Sequence, residues 1–245
     1  CREFTTCSKN GECVLQSLAK RFGIDEVRFD KSEKAWKDEY PIDRSSKSII
    51  KNPNKCIHCG DCVRMCAEVQ NVGAIDFANR GWNLEVTPAF NDPLAETDCV
   101  GCGQCVAVCP TGALNVNNQI NEAWEAINNE DLRTIIQVAP AVRVALGEMF
   151  GITDADKVMP LMVAALRKLG FDNIYDTSFS ADLTVMEESA EFLRKLESGQ
   201  ELPLYTSCCP GWIKYAEKRH PELMPLISTC KSPMQMFSSV VKEER

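Results

Sequence analysis

The second half of the chain alternates between two patterns of hydrophobic and polar residues. Three short apolar runs have the length of strands and cover residues 134–139, 173–177 and 202–207. Between and after them, apolar residues recur at helical spacing in five segments: 142–150, 157–169, 181–196, 210–219 and 233–242. Because strands that alternate with helices form parallel sheets with right-handed crossovers, this pattern predicts an α/β domain.

The first half of the chain contains few periodic segments. Apolar residues at helical spacing occur in 14–22, whereas 24–50 is charged, poor in apolar residues and contains Pro41, as is typical of a connecting segment. A polar helix is predicted at 119–129, where the composition of the chain changes. We therefore predict an organisation in three parts, with the bounds 1–40, 41–118 and 119–245.

In parallel sheets, ligands bind beyond the carboxyl ends of the strands. The three predicted strands end at 139–140, 177–178 and 208–209, so three loops are expected to meet at one site. That site would contain two adjacent cysteines, Cys208 and Cys209. Since neighbouring side chains diverge, one of them could bind a metal while the other faces whatever the metal acts on. The alternative is a strand that ends in two buried thiols.

Composition narrows the function classes. The net charge of −8 argues against nucleic acid as a partner, and no run of about 18 apolar residues is present to span a membrane. Of the 14 cysteines, Cys230 stands apart and receives no role, while the others fall into clusters. In a chain of this length such spacing indicates metal ligands rather than disulfides, and thiolate ligands favour a reducing, cytoplasmic location.

Two cysteine runs with the spacing C-x2-C-x2-C-x3-C form the strongest motif. This is the spacing of bacterial two-cluster ferredoxins, in which three cysteines of each run hold one 4Fe-4S cubane and the fourth holds the other. One cluster is thus expected on Cys56, Cys59, Cys62 and Cys109, and a second on Cys99, Cys102, Cys105 and Cys66. Zinc is the alternative, but a zinc site needs neither the repeat nor the crossed fourth cysteine. His58 lies inside the first run and is expected to be solvated rather than a ligand.

Three further cysteines, Cys1, Cys7 and Cys13, precede the helical segment 14–22. A cubane takes four ligands, so three thiolates are one short. Either a fourth ligand lies before Cys1 and the segment holds a third 4Fe-4S cluster, or these are structural thiols.

The residues described so far resemble the iron-only (FeFe) hydrogenases over nearly the whole chain. The two cysteine runs resemble the accessory clusters of that family, and Thr-Ser-Cys-Cys-Pro-Gly-Trp at 206–212 resembles its first catalytic signature, which 231–233 continues. Upstream motifs of the catalytic domain are matched at 139–143, 170–172 and 181–188. The resemblance implies an α+β two-cluster ferredoxin domain followed by part of an α/β parallel-sheet hydrogenase catalytic domain, with a small N-terminal Cys-rich helical segment.

The resemblance also implies an active site, the H-cluster, in which a cubane is joined through a cysteine to a diiron centre carrying CO, cyanide and a bridging dithiolate. Cys209 would be one ligand of that cubane, and Cys208 would pass protons to and from the amine of the dithiolate. The diiron pocket would be lined by Ala139, Pro140 and Met234.

A proton path is implied over Glu188, Ser228 and Glu191. It would end near Lys195. Glu188 and Glu191 are three residues apart on one predicted helix, so a hand-off between them is geometrically reasonable. From spacing alone, the alternative is a solvated acidic face with Glu191 paired to Lys195.

The implied function is that of an enzyme that interconverts H2 with two protons and two electrons. Electrons would pass through the 4Fe-4S clusters to ferredoxin or to a flavin-containing, NAD(P)-linked subunit. The family takes its remaining cubane ligands from two later motifs, and the chain starts at Cys1 and stops at Arg245, so we expect both ends to continue in a longer polypeptide. The alternative is a non-catalytic iron–sulfur electron-relay subunit that lacks a complete diiron site.

Overall fold

The computed structural model describes residues 9–24, 40–199 and 202–243. The chain divides into two compact units, Cys1–Asn118 and Gln119–Arg245. None of the helices in these described ranges is both long and apolar enough to cross a membrane.

Short elements separated by turns make up the first unit. In chain order they are helix α1 (Val14–Arg21), strand β1 (Ile49–Lys51), helix α2 (Asp61–Arg64), strands β2 (Asp76–Ala78) and β3 (Glu85–Thr87), helix α3 (Gln104–Ala107) and strand β4 (Leu114–Val116). Single 3-10 turns lie at Pro53–Lys55, Gly81–Asn83, Ala89–Asn91 and Leu94–Glu96, and a wider π turn at Met65–Val69 continues α2. Strand β1 pairs antiparallel with β4, and β2 pairs antiparallel with β3.

The core of the first unit is built partly from cysteine. Its buried residues include Cys62 and Cys109 together with aliphatic side chains such as Ile49 and Leu114. Four more cysteines of the two runs pack against it: Cys56, Cys66, Cys99 and Cys105. An interior this small buries little apolar area, so whatever the thiols bind forms part of the core.

Both cysteine runs use the same local backbone. Gly60 and Gly103 follow the second cysteine of each run, adopt φ values of 80° and 75°, and directly precede helices α2 and α3. Glycine enters this left-handed region without the steric cost that a Cβ brings. The two glycines therefore turn the chain so that the third cysteine of each run lies in the first turn of a helix.

Longer helices dominate the second unit. In chain order its elements are α4 (Ile120–Ile127), β5 (Ile135–Val138), α5 (Pro140–Met149), α6 (Ala155–Leu169), β6 (Asn173–Asp176), α7 (Ser178–Ser198), α8 (Pro210–Arg219), a 3-10 segment (Pro221–Leu226) and α9 (Pro233–Glu243). Strands β5 and β6 are parallel, with Ile135 opposite Asn173, and α5 and α6 connect them as the sequence pattern predicts.

Helix α9 joins the small sheet to the helix that carries the two predicted proton-path glutamates. It packs against α7, and the rings of Tyr175 on β6 and Phe237 on α9 lie 5.2 Å apart between centroids. The side-chain amide of Gln137 on β5 donates to the backbone oxygen of Met234 at 3.2 Å. These contacts fix the stretch that precedes α9 beside α7.

The third predicted strand, 202–207, does not join this sheet. Within that segment Tyr205 alone forms a bridge, to Ile227; Tyr205 N donates to Leu226 O at 2.9 Å and Ser228 N donates to Tyr205 O at 2.7 Å. Pro203 has no N–H to donate and most of the segment is exposed. Segment 202–207 therefore pairs at a single residue and forms no β-ladder. The expected three-stranded sheet is therefore wrong for the described residues, where the parallel sheet has two strands.

Candidate iron–sulfur sites and a buried carboxylate network

Four cysteine side chains line a single cavity in the first unit: Cys56, Cys59, Cys62 and Cys109. They are the four that the crossed spacing assigns to one cluster. Burial raises the pKa of Cys62 to about 12, and the neighbouring thiols of Cys56, Cys109 and Cys59 add to that rise. Thiols in this setting resist losing their protons together unless a metal centre takes the place of the protons.

The second group of cysteines shows the same electrostatic signature. Burial raises the pKa of Cys105 to about 12, with smaller contributions from Cys99, Cys102, Cys62 and Cys66, in that order. The influence of Cys66 on Cys105 indicates that the last cysteine of the first run lies near the second run. Cys62 of the first group influences Cys105 as well, so the two groups of cysteines lie close together.

The donor chemistry of both groups fits a 4Fe-4S cubane better than a single zinc ion. Across the described residues, no three His, Cys, Asp or Glu side chains converge tightly enough to bind one metal ion. Zinc needs four ligands at about 2.0–2.3 Å from one centre, whereas a cubane carries its irons at separate corners and keeps its thiolates apart. The repeat of two four-cysteine runs, which a zinc site does not need, favours a cubane in each group.

Backbone amides donate to two of the cysteine sulfurs. His58 N lies 3.4 Å from Cys56 Sγ, and Ala74 N lies 3.4 Å from Cys66 Sγ. His58 has a φ of 57° and its ring is exposed, so it contributes its amide rather than its imidazole. Hydrogen bonds to cluster sulfurs favour the more negative, reduced form of a cluster.

The N-terminal cysteines are described in part. Cys13 is buried, whereas Cys1 and Cys7 lie outside the described residues. Cys13 directly precedes α1, and Val14 N donates to Pro110 O at 3.3 Å. Since Pro110 lines the first cysteine cavity, this hydrogen bond places Cys13 beside the first candidate cluster site.

In the second unit, Glu191 on α7 is a buried carboxylate with 5% of its surface exposed. Its Oε2 accepts from Ser228 Oγ at 2.6 Å, and its Oε1 accepts from Lys195 Nζ at 3.3 Å and from Thr229 N at 3.4 Å. Burial alone would raise the pKa of Glu191, but the hydrogen bonds from Ser228, Lys195, Thr229 and Cys230 together lower it. Glu191 is therefore held as a carboxylate.

Glu188 lies one turn earlier on α7. Burial raises its pKa, and the negative charge of Glu191 raises it further. Neighbouring carboxyl groups whose pKa values move apart suit proton exchange, since one holds a proton where the other does not. An open cleft beside α7 is lined by Glu188, Leu204 and Thr206, so it reaches within two residues of Cys208.

The cysteine pair lies at the start of α8. Cys208 and Cys209 are both exposed, and Cys209 directly precedes Pro210, the first residue of the helix. Cys209 N donates to Ser207 Oγ at 3.1 Å, which fixes the turn into the helix. The positive end of a helix favours anions, so a negatively charged cluster would be stabilised at this position.

Among the described residues, the three expected to line the diiron pocket make no polar contact with the cysteine pair. Ala139 and Pro140 begin α5 and are exposed, and among the hydrogen bonds and ion pairs of the described residues none joins them to Cys208 or Cys209. Met234 is 60% exposed. The structure thus brings the carboxylate network together and leaves these three residues without a polar contact to the cysteine pair.

Cys230 belongs to the network although sequence reasoning assigns it no role. Its Sγ lies 3.5 Å from Glu191 Oε2. Burial, followed by the influence of Glu191 and Glu188, raises the pKa of Cys230, so it stays a thiol that donates to Glu191. The available signal is its spacing, because Ser228 and Cys230 are two residues apart in an extended stretch and face the same side.

Comparison with known proteins assigns a family to each part of the chain. Residues 132–245 match the family described as "Iron only hydrogenase large subunit, C-terminal domain". Residues 132–245 belong to the iron-only hydrogenase family. Residues 55–113 match "4Fe-4S dicluster domain", and residues 5–28 match "NADH-ubiquinone oxidoreductase-G iron-sulfur binding region". The resemblance seen in the motifs is thereby confirmed.

Three relatives of the chain have names that describe different functions. The chain is 48% identical over 247 residues to NADP-reducing hydrogenase subunit HndD of Solidesulfovibrio fructosivorans. That alignment covers 98% of this chain and 42% of HndD. The chain is 37% identical over 206 residues to iron hydrogenase 1 of Clostridium pasteurianum, with coverage of 84% and 36%. It is also 34% identical over 159 residues to cytosolic iron-sulfur assembly component 3 of Bos taurus, with coverage of 60% and 33%. The chain thus spans less than half of the length of each of these relatives.

Proposed function

We propose that this chain is the electron-relay portion and the first part of the catalytic domain of an FeFe hydrogenase, which interconverts H2 with two protons and two electrons. The observation that carries the proposal is the 2.6 Å hydrogen bond from Ser228 Oγ to the buried Glu191. A solvated acidic face, the alternative from spacing alone, would neither bury this carboxylate nor bond it to a residue 37 positions away.

The proposed proton path passes through five residues, in this order: Cys208, Glu188, Ser228, Glu191 and Lys195. A serine hydroxyl both donates and accepts, so Ser228 is suited to relay a proton between two carboxyl groups. Proton affinity rises from Glu191 to Glu188, because the pKa of the first is lowered and that of the second is raised. Of the two carboxyl groups, Glu188 therefore binds a proton more readily, and it shares a cleft with the segment leading to Cys208.

The proposed ligands follow the cysteine groups. The two runs would hold two 4Fe-4S clusters; Cys1, Cys7 and Cys13 would contribute to a third, and Cys209 would ligate the cubane of the H-cluster. When bound, the clusters carry single electrons and the diiron centre activates H2. The match of residues 5–28 to an iron–sulfur binding region supports the third cluster over structural thiols. Ala139, Pro140 and Met234 would line the diiron pocket.

The proposed redox partner is ferredoxin or a flavin-containing, NAD(P)-linked subunit. Support comes from HndD, which is named a subunit of an NADP-reducing hydrogenase and is 48% identical to this chain. The thiolate ligands need a reducing compartment, so we place the protein in the cytoplasm.

An infrared spectrum of the full-length, anaerobically matured protein tests the hydrogenase function. We expect sharp bands from metal-bound CO and cyanide, because the diiron centre carries both. Cys208→Ala should keep these bands and the iron content of the protein while H2 turnover is abolished, because the thiol that passes protons to the amine is lost. Turnover that survives in Cys208→Ala would remove Cys208 from the path.

A non-catalytic iron–sulfur protein is the second candidate function. The identity of 34% to cytosolic iron-sulfur assembly component 3 favours it, since the name of that relative describes cluster assembly rather than H2 chemistry. The same spectrum separates the two candidates. An absence of CO and cyanide bands, in protein whose iron content equals that of its cubanes, would support the electron-relay function.

A further inference from the structure

Lys51 is a lysine buried at the edge of a candidate cluster site. It is 7% exposed and lies on β1 opposite Leu114. Lys51 lines the same cavity as Cys56, Cys59, Cys62 and Cys109, and it also lines a second cavity with Asp43 and Glu85. Lysines are almost never fully buried unless they are paired, so the position calls for an explanation.

The ammonium group of Lys51 has a neutral hydrogen-bond partner. Lys51 Nζ donates to Thr87 Oγ1 at 3.1 Å, and the Thr87 hydroxyl donates in turn to Asn91 Oδ1. Thr87 is itself 4% exposed, so this bond lies in the interior. Burial lowers the pKa of Lys51, and the negative charges of Asp43 and Glu85, followed by Cys56, act in the opposite direction. The hydrogen bond holds the positive charge in place without cancelling it, and the two carboxylates offset it in part.

The second cysteine run has no buried positive charge five residues before its first cysteine. Lys51 lies five residues before Cys56, the first cysteine of its run, and Leu94 lies five residues before Cys99. Leu94 is 3% exposed and belongs to the apolar core. The two halves of the repeat therefore bury a cation at one site and an aliphatic side chain at the other.

A buried charge acts strongly on a nearby redox centre. Reduction adds one electron to a cluster that four thiolates already make negative, so a positive charge in a low-dielectric interior stabilises the reduced form. Salt screens such a charge much less than it screens an exposed one.

We propose that Lys51 sets the redox asymmetry of the two clusters, by raising the reduction potential of the cluster on Cys56, Cys59, Cys62 and Cys109 above that of its neighbour. The inference rests on the proposed function, since it requires that both cysteine groups hold clusters. Pro110 lines the Lys51 cavity and accepts the hydrogen bond from Val14, so the favoured cluster is the one beside the N-terminal cysteine segment. An electron shared by the two clusters then rests preferentially on that side.

A redox titration of the full-length anaerobic protein, followed by electron paramagnetic resonance, tests the role of Lys51. In Lys51→Met one of the two cluster midpoints should fall, with about a tenfold change in the ratio of reduced to oxidised cluster, which is 59 mV for a one-electron couple. The other midpoint should move less. Lys51→Arg keeps the charge and should restore the wild-type midpoint. Lys47→Met removes the same charge from an exposed position and should leave both midpoints in place.

The outcomes separate this inference from the function on which it rests. Wild-type protein without two titrating clusters would contradict the proposed ligands themselves. If both clusters are present, an unchanged midpoint in Lys51→Met, or equal shifts of both midpoints, overturns the role of Lys51. If Lys51→Met loses the cluster, Lys51→Gln keeps a donor for Thr87 and should show the same one-sided shift. Loss of the cluster in both variants would mean that Lys51 is structural, and would overturn the proposal.

Discussion

At the level of single residues, two carboxyl groups one turn apart on α7 differ in their affinity for a proton: the pKa of Glu188 is raised and that of Glu191 is lowered. The segment 181–196 predicts a helix that carries both Glu188 and Glu191, and the structure has that helix. Spacing could not locate the groups that hold Glu191, because Ser228 and Cys230 reach it from 37 and 39 residues downstream. Such contacts depend on how α9 packs against α7, which the periodicity of either helix does not encode. The family resemblance supplied Ser228, and nothing in the sequence reasoning supplied Cys230.

Replacing Ser228 with alanine is expected to slow H2 turnover by about 10²-fold or more, because a positioned proton-transfer group contributes about 10²–10⁴-fold. The change removes the hydroxyl that bonds Glu191 at 2.6 Å and touches none of the proposed cluster ligands. H2 evolution with a mediator dye, measured beside the CO and cyanide bands, checks it. Ser228→Thr keeps a hydroxyl and is the matched control; equal losses in both variants would argue against a relay through this oxygen.

The same variant should alter the response of stability to acid. A carboxyl group whose pKa is lowered in the folded state stabilises the fold above its unfolded pKa of about 4.3, and this contribution is lost as the pH falls through the folded pKa. Ser228 is the largest influence that lowers the pKa of Glu191, so in Ser228→Ala that pKa rises toward its ordinary value. Urea unfolding from about pH 6 down to about pH 3 should then show a smaller loss of stability than in the wild type. Coincident profiles would show that the bond does not stabilise the carboxylate.

At the scale of elements, the two cysteine runs share their spacing but continue differently. Pro110 follows Cys109 and has no N–H for a further helical turn, whereas Ala67 follows Cys66 and the backbone continues through the π turn Met65–Val69. The residue difference is visible in the sequence, and the π turn that it permits is not. The grouping of cysteines follows from spacing, while the path of the chain around Cys66 required the structure.

Gly60→Ala is expected to destabilise the first unit more than Gly103→Ala. Both substitutions place a Cβ in the left-handed region, at a cost of about 1–2 kcal/mol. At Gly60 the Cβ would also lie 3.1 Å from Arg64 Nη1 and 3.2 Å from Phe77 Cζ, whereas at Gly103 nothing lies within 4 Å. Thermal unfolding of the two cluster-loaded variants measures the difference. Equal losses would mean that Arg64 and Phe77 move aside without cost.

The partner of the third predicted strand could not be predicted from its sequence pattern. Residues 202–207 have the apolar character of a strand, but hydrophobicity does not specify a pairing partner. In the structure Tyr205 pairs with Ile227, and that bridge brings the segment before Cys208 beside the stretch that begins at Ser228. The cysteine pair and the carboxylate network are thus linked through this bridge rather than through a common sheet edge.

At the scale of the whole molecule, the division into two units follows the distribution of cysteine. The last cysteine of the second run is Cys109, the composition changes before the polar helix α4, and the first compact unit ends at Asn118. What composition could not give is that the thiols of the first unit form part of its core.

Cys109→Ser should therefore loosen the first unit as a whole. The change removes one proposed ligand from a buried position, and metal binding energy at such a site is also folding energy. Hydrogen exchange should increase across residues 40–118, while the packed helices α7 and α9 keep their protection. An increase of the same size in those two helices would mean that the units do not unfold independently.

The proposed grouping of Cys66 with the second run and of Cys109 with the first has a consequence for ancestry. Under the proposed ligation, a single copy of the repeat carries three ligands for its own cluster and one that only a neighbour can use. One copy alone could complete a four-thiolate cubane only by associating with another. A duplication of the repeat would thus have been useful from the moment both copies lay in one polypeptide, and afterwards neither copy could be deleted or replaced without disabling the other.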